Sequence, residues 1–210
     1  MSTTTIVILA RDPRGAKRRL RGVLTPAERE ALSRAMLADV IVACRATGND
    51  VLVITASPAI ARLARAAGVG ARRSDARGTR AAARAGVAAA AAHGASAVLL
   101  LPGDLPLLRA TDVRRILAAE ARADVVVVAD RHRHGTNALL LRPPVAIAPL
   151  FGPASFVAHV EAARRRGLRV STPRIAGVGL DVDTPEDLWL LRRKRRSAGT
   201  HTAAVLRELP

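Results

Sequence analysis

Tyrosine is absent from this 210-residue chain, and two phenylalanines and one tryptophan make up its whole aromatic content. Proteins that stack single-stranded nucleic acid draw on such rings, so their scarcity counts against a module of that kind. Cysteine occurs once, at Cys44, which excludes an internal disulfide. A reducing cytoplasm is therefore the expected location. No apolar run approaches the roughly 20 residues of a membrane span. The opening Met1-Ser2-Thr3-Thr4-Thr5 also lacks the basic start of a secretion signal. Lysine is scarce as well: Lys17 and Lys194 stand among 34 basic residues, against 17 acidic ones, for a formal charge of +17. Such a field attracts polyanions and phosphate-bearing small molecules, although an Ala- and Arg-rich composition is also what a GC-rich genome produces. Half of the residues are apolar, so the core is built from Ala, Val, Leu and Ile, and the length suits one domain.

The apolar runs set the organisation. Thr4 to Ala10, Asp50 to Ala56, Val98 to Leu101 and Asp124 to Ala129 read as strands. Helices fall between them. One is opened by Thr25-Pro26-Ala27-Glu28, a capping box with Pro at the first helical position. Others run from Ser57-Pro58 to Gly68, from Thr79 to His93-Gly94, and from Thr111 to Glu120. This alternation predicts a mostly parallel sheet covered by helices on both faces. After Asp124–Ala129 no helix intervenes before Ala138–Arg142, so that strand is expected to pair antiparallel. A helix ending at Gly167, an edge strand over Leu168–Pro173, and a short strand at Gly177–Leu180 running into a capped helix complete the domain over residues 1–196. Residues 197–210 read as a loosely ordered tail, and the stretch Arg192 to Pro210 is expected to be dispensable for catalysis, with some loss of stability if Trp189 packs under it. No internal repeat is visible.

The stretch at the centre is Leu101-Pro102-Gly103-Asp104-Leu105-Pro106-Leu107. It places a carboxylate at the C-terminal tip of a buried strand, where ligands of open α/β sheets sit. Flanked by Leu and Pro, Asp104 is poorly placed for a surface salt bridge; it either holds a divalent cation or caps the next helix. Asp181 and Asp183 flank Val182, and in a strand they would point to one side. With Asp104 they offer three hard oxygen ligands suited to Mg²⁺ beside phosphates. The loop Arg11-Asp12-Pro13-Arg14-Gly15-Ala16-Lys17-Arg18-Arg19 can wrap phosphates with cations and backbone N–H groups, or it is a solvated basic loop. Gly135-Thr136-Asn137 and Gly152-Pro153-Ala154-Ser155 offer small residues and hydroxyls suited to a carboxylate or phosphate. His132 and His134 read as a solvated pair, His93 as a helix end, and Cys44 as core.

These stretches follow in one order: Ala16-Lys17-x-Arg19-Leu20, Leu101 to Leu107, Gly135 to Leu139, Phe151-Gly152-Pro153-x-Ser155-Phe156, and Leu180 to Leu188. Together they resemble the guanylyltransferase family of deazaflavin coenzyme F-420 biosynthesis, over roughly residues 4 to 191. The resemblance implies a three-layer α/β domain, Rossmann-like and similar to glycosyltransferase-A-type nucleotidyltransferases. It implies transfer of GMP from GTP, with Mg²⁺, to 2-phospho-L-lactate, phosphoenolpyruvate or 3-phospho-D-glycerate. On that basis Lys17, Asp104, Asp181 and Asp183 are the catalytic residues, the three Asp holding metal. Ala10, Arg11, Lys17, Arg19, Gly78 and Pro102 take the nucleotide, and Thr136, Asn137, Gly152 and Ser155 take the acceptor. The unstable product would pass to the next enzyme of the pathway, and the Arg-rich, bacterial-looking composition points to phosphoenolpyruvate. Two positions depart from the family pattern: Arg11 replaces a common Lys, and Thr79-Arg80 stand where many members have a Leu-Asn pair whose Asn touches the base. The alternatives are another nucleotidyltransferase of this fold, of molybdopterin or sugar-phosphate type, and a basic nucleic-acid binder suggested by the +17 charge and the run Arg192 to Arg196.

Overall fold

In the computed structural model, residues 3–74, 78–119, 121–194 and 197–209 are described. The elements run β1 (Thr4–Leu9), α1 (Pro26–Arg45), β2 (Asp50–Thr55), α2 (Pro58–Ala66), β3 (Gly70–Arg73), α3 (Thr79–Ala92) and β4 (Ala97–Pro102), then α4 (Ala110–Ala119), β5 (Val125–Ala129), β6 (Thr136–Leu141), α5 (Ser155–Arg165), β7 (Val170–Ser171), α6 (Pro185–Arg193) and α7 (Thr200–Glu208). The strands form one sheet in the order β3-β2-β1-β4-β6-β5-β7. β6 alone runs against the rest, antiparallel to both β4 and β5, as the missing helix before it predicts. Its reversal has a positional consequence. The start of β6, at Thr136, lies at the same edge as the C-terminal ends of β4 and β1.

Alternate residues of the buried strands feed two cores. Ile6, Ile8, Leu99, Leu101, Val126 and Leu140 face α1, α2 and α4. Val7, Leu9, Leu100, Val127 and Leu139 face α3 and α5. α3 comes so close to the sheet that a Cβ on Gly86 would stand 2.5 Å from a Val7 methyl, which explains glycine inside an otherwise Ala-rich helix. Both capping boxes form: Thr25 with Glu28 opens α1, and Thr184 with Asp187 opens α6.

Three expectations change. β3 extends the sheet edge with Gly-Ala-Arg-Arg, a mostly exposed segment with no apolar alternation to announce it. Residues 177–183 form turns and irregular chain rather than a strand, so the same-side logic for Asp181 and Asp183 does not hold. The segment read as a loose tail contains α7, which lies on α1. Leu206 joins a third cluster with Leu20, Leu24, Leu32, Met36, Leu180, Val182 and Leu188. The cause lies far away in sequence. Asp39, buried on α1, accepts from the N–H groups of His201 (3.0 Å) and Thr202 (2.8 Å) and so caps α7. Residues 195 and 196, at the end of the basic run before the tail, and residue 210 at its end lie outside the described residues.

Candidate active site

The site builds on the sheet edge. In the β1–β4 register Leu9 pairs with Pro102, and Gly103 N–H donates to the Leu9 carbonyl (3.0 Å). The chain after β4, carrying Asp104, therefore lies beside the chain after β1, carrying Ala10 and Arg11. The basic loop then folds back. Lys17 adopts a left-handed backbone (φ 53°, ψ 42°) just before a 3₁₀ turn over Arg18–Leu20. That conformation is uncommon for a residue with a side chain. Here it accompanies an ammonium that is only 7% exposed and bonded to Asp104 Oδ2 and, at 2.8 Å, to Asp183 Oδ1.

Asp104 is thus in an ion pair, not a surface bridge but one made with a buried ammonium. The partner is 87 positions away, beyond what local sequence reveals. Burial alone would lower the Lys17 ammonium, but the charges of Asp104 and Asp183 outweigh it and hold it above its ordinary range. Burial would raise Asp183, yet Lys17, with Arg11 and Arg19 behind it, keeps that carboxyl below its usual value. Asp181 goes the other way: burial, then the charge of Asp104, push it up, although the Asn137 amide donates to its Oδ1 at 3.1 Å.

The three carboxylates do not form a closed metal cage. Among the described residues no group of three or more His, Cys, Asp or Glu stands ready to hold an ion. The ammonium of Lys17 takes the place between Asp104 and Asp183. What remains is a pair. Asp104 Oδ1 is buried without a hydrogen-bond partner, and its charge bears on Asp181. The unpartnered Asp104 Oδ1 beside the Asp181 carboxylate is a hard-oxygen pair that fits a divalent cation.

Among the residues expected to take the nucleotide, Arg11 donates to Thr79 Oγ1 (2.7 Å) at the start of α3. Gly78 stands exposed just before that helix, and Arg19 is exposed. Ala10 is nearly buried and Pro102 half-buried at the strand ends. Arg80 does not face outward from α3 alone: its Nε donates to the Phe151 carbonyl (3.2 Å). Arg11, Thr79 and Arg80, the three residues that depart from the family pattern, therefore tie the first loop through α3 to the loop holding Gly152.

Among the residues expected to take the acceptor, Gly152 has φ 140°, a conformation that side chains rarely adopt. Ser155 opens α5 and is buried. Thr136 is buried with its hydroxyl 3.0 Å from His159 Nδ1. Asn137 spends both amide hydrogens, on the Val178 carbonyl (2.9 Å) and on Asp181. It holds the segment after α5 against β6 and steadies Asp181. His132 and His134 are exposed and stacked, with ring centroids 6.4 Å apart. His93 closes α3 on the Ala89 carbonyl, and Cys44 is core, as expected.

The residue that sequence reasoning missed is His159. It is fully buried on α5, in the row Phe156, His159, Val160 and Ala163, and reads as one more core position. Burial, then the charge of Arg80, lower its imidazole from the ordinary 6.5 to about 4. The folded state therefore binds fewer protons than the unfolded chain between those values, and stability rises with pH across that window. Acidification from pH 6.5 to 4 is expected to remove about 3 kcal/mol through this group. Denaturant midpoints at pH 7, 5.5 and 4.5 check it: His159→Phe should flatten the slope, and an equal slope in both proteins would assign it elsewhere.

A model of CofC-like guanylyl transferases matches residues 4–210. The chain belongs to that family. A phosphoenolpyruvate guanylyltransferase of Rubrobacter xylanophilus is 43% identical over 184 residues, covering 87% of this chain and 90% of that protein. A 2-phospho-L-lactate guanylyltransferase of Methanothermobacter thermautotrophicus is 36% identical, covering 100% and 92%. A 3-phospho-D-glycerate guanylyltransferase of Phenylobacterium zucineum is 39% identical, covering 97% and 95%. Among solved structures, a 4-diphosphocytidyl-2C-methyl-D-erythritol synthase superposes with a TM-score of 0.66 at 14% identity, over 92% of this chain and 98% of that one. The fold is thus that of nucleotidyltransferases, and the family match favours the guanylyltransferase over another nucleotidyltransferase of molybdopterin or sugar-phosphate type. Among the described residues no helix is long and apolar enough to cross a membrane.

Proposed function

We propose that this chain transfers GMP from GTP to phosphoenolpyruvate, or to 2-phospho-L-lactate, with release of pyrophosphate, in the cytoplasm and as a step of deazaflavin coenzyme F-420 biosynthesis. Family membership and relatives of about 40% identity over nearly the whole chain support the reaction type. The observation that carries the site is the buried Lys17 ammonium between Asp104 and Asp183, at the sheet edge where β4 ends and β6 begins.

The acceptor's phosphate attacks the α-phosphorus of GTP, and the P–O bond to the leaving pyrophosphate breaks. No group on the protein need become covalently attached; position and charge suffice. Lys17, raised above its ordinary range, stays an ammonium throughout and counters charge on the transferring phosphoryl group. Arg11 and Arg19 attract the triphosphate. Asp104 and Asp181 would hold Mg²⁺, which supplies neutralising charge to the phosphate oxygens when bound. Thr136, Gly152 and Ser155 would receive the acceptor's carboxylate and phosphate.

Pyrophosphate release from GTP, Mg²⁺ and each phospho-acid tests the reading. Phosphoenolpyruvate is expected to give the fastest turnover, and GTP to exceed ATP and CTP. Absence of release with every acid would overturn it. Within that assay Ser155→Ala and Thr136→Val are expected to raise the acceptor KM about ten- to a hundred-fold. Each loses one hydrogen bond to a charged group, worth about 1.5–3 kcal/mol. The KM for GTP should move little; a reversed pattern would put these loops on the nucleotide side.

A further inference from the structure

His159 stands between the two segments assigned to the acceptor. Its Nε2 receives the backbone N–H of Leu150 at 2.7 Å. A backbone amide can only donate, so Nε2 carries no proton. Burial, then the charge of the nearby Arg80, keep the imidazole neutral at pH 7. Its single proton is therefore on Nδ1, 3.0 Å from Thr136 Oγ1. The Nδ1–H donates to the hydroxyl, takes one oxygen lone pair, and leaves the hydroxyl's own hydrogen to point away from the ring. The same ring meets Phe151 edge-on, with centroids 5.3 Å apart.

We propose that His159 is a positioning residue for the acceptor: as the Nδ1–H tautomer it fixes the Thr136 hydroxyl as an outward hydrogen-bond donor to an anionic oxygen of the phospho-carboxylic acid. The inference rests on the functional reading above and deepens it. It explains why a neutral imidazole is buried between β6 and the Leu150–Ser155 loop, where an apolar residue would serve packing alone. The ring sets the polarity of the hydroxyl, so that the site offers a donor, not a lone pair, to an anion.

The test is a double-mutant cycle in the pyrophosphate assay. His159→Phe keeps the bulk and removes both ring nitrogens. It is expected to raise the acceptor KM about ten-fold, as for one lost hydrogen bond to an anion, with the KM for GTP within about two-fold. In a Thr136→Ala background the same change should add almost nothing to the acceptor KM, because the hydroxyl through which it acts is gone. His159→Asn, whose amide offers an N–H on the side of Nδ1, is expected to recover part of the loss. The wild-type enzyme with ¹⁵N-labelled histidine gives a readout that does not depend on folding of a variant. One buried ring should appear as the neutral Nδ1–H form at pH 7 and shift on addition of phosphoenolpyruvate but not of GTP. Additive losses in the cycle, or an Nε2–H or charged ring in the wild type, would overturn the assignment while leaving the functional reading intact. A wild-type protein that releases no pyrophosphate with any phospho-acid would overturn both.

Discussion

Lys17→Met is expected to lower kcat by about a hundred- to a thousand-fold, the range for removing one preorganised charge from a phosphoryl-transfer site, while the fold persists. Methionine keeps the length and keeps the left-handed backbone under the same constraint, so the change isolates the ammonium. Without it, Asp104 and Asp183 lose their shared partner, and Asp181 remains under the repulsion of Asp104. Three carboxylates would then face one another across a half-buried space. Asp183, which Lys17 holds below its usual range, should take up protons at higher pH in the variant. The acid limb of any residual rate would move upward with it. Lys17→Gly is the companion change, relieving the backbone while also removing the charge. Equal loss in the two variants assigns the effect to the ammonium. A methionine variant with near-wild-type kcat would remove Lys17 from the reaction.

Deletion of residues 197–210 is expected to lower the melting temperature by about 10–20 °C or to yield insoluble protein. The sequence alone predicts a segment dispensable for catalysis; α7 and its packing on α1 give that segment a share in stability. Losing Leu206 from its cluster with Leu32 and Met36 is worth about 2–5 kcal/mol by analogy with large-to-small core changes. Asp39 would keep a buried carboxylate after losing the N–H groups of His201 and Thr202, a further cost of about 1–3 kcal/mol. That total is a large share of the roughly 5–15 kcal/mol that holds a domain together. Each kcal/mol moves the melting point by about 2–4 °C at this size. Gly199 N–H also donates to the Pro106 carbonyl (3.0 Å), two residues past Asp104, so the truncated protein should lose activity along with stability. Leu206→Ala and Asp39→Ala divide the effect between packing and capping. A truncated protein melting within about 3 °C of the full chain would show that α7 contributes nothing to the fold.

How far the sequence could be read depended on whether the deciding partner was local. The Thr25 and Thr184 capping boxes close within four residues, and both helices start where the motif puts them. The reversal of β6 followed from a connection too short for a crossover helix. By contrast, β3 is held by main-chain pairing to β2, and its exposed Arg side chains say nothing of it. α7 depends on a carboxylate more than 160 positions away. In the site, the sheet-edge place of Asp104 was legible because a buried strand ending in Pro-Gly leaves few alternatives. Its pairing with Lys17 was not, since it requires the left-handed turn of the first loop. His159 was hidden by its helix: at helical spacing between Phe156 and Val160, imidazole and isoleucine give the same periodic signal.

The interior position of Cys44 has a practical side. Its thiol is fully buried, and burial pushes it up to about 12, so at neutral pH it offers almost no thiolate to an alkylating reagent. The native protein is therefore silent toward maleimides. A cysteine placed on the exposed loop over residues 132–134 would be the single reactive thiol in the chain, and one fluorophore there could report acceptor arrival separately from that of GTP.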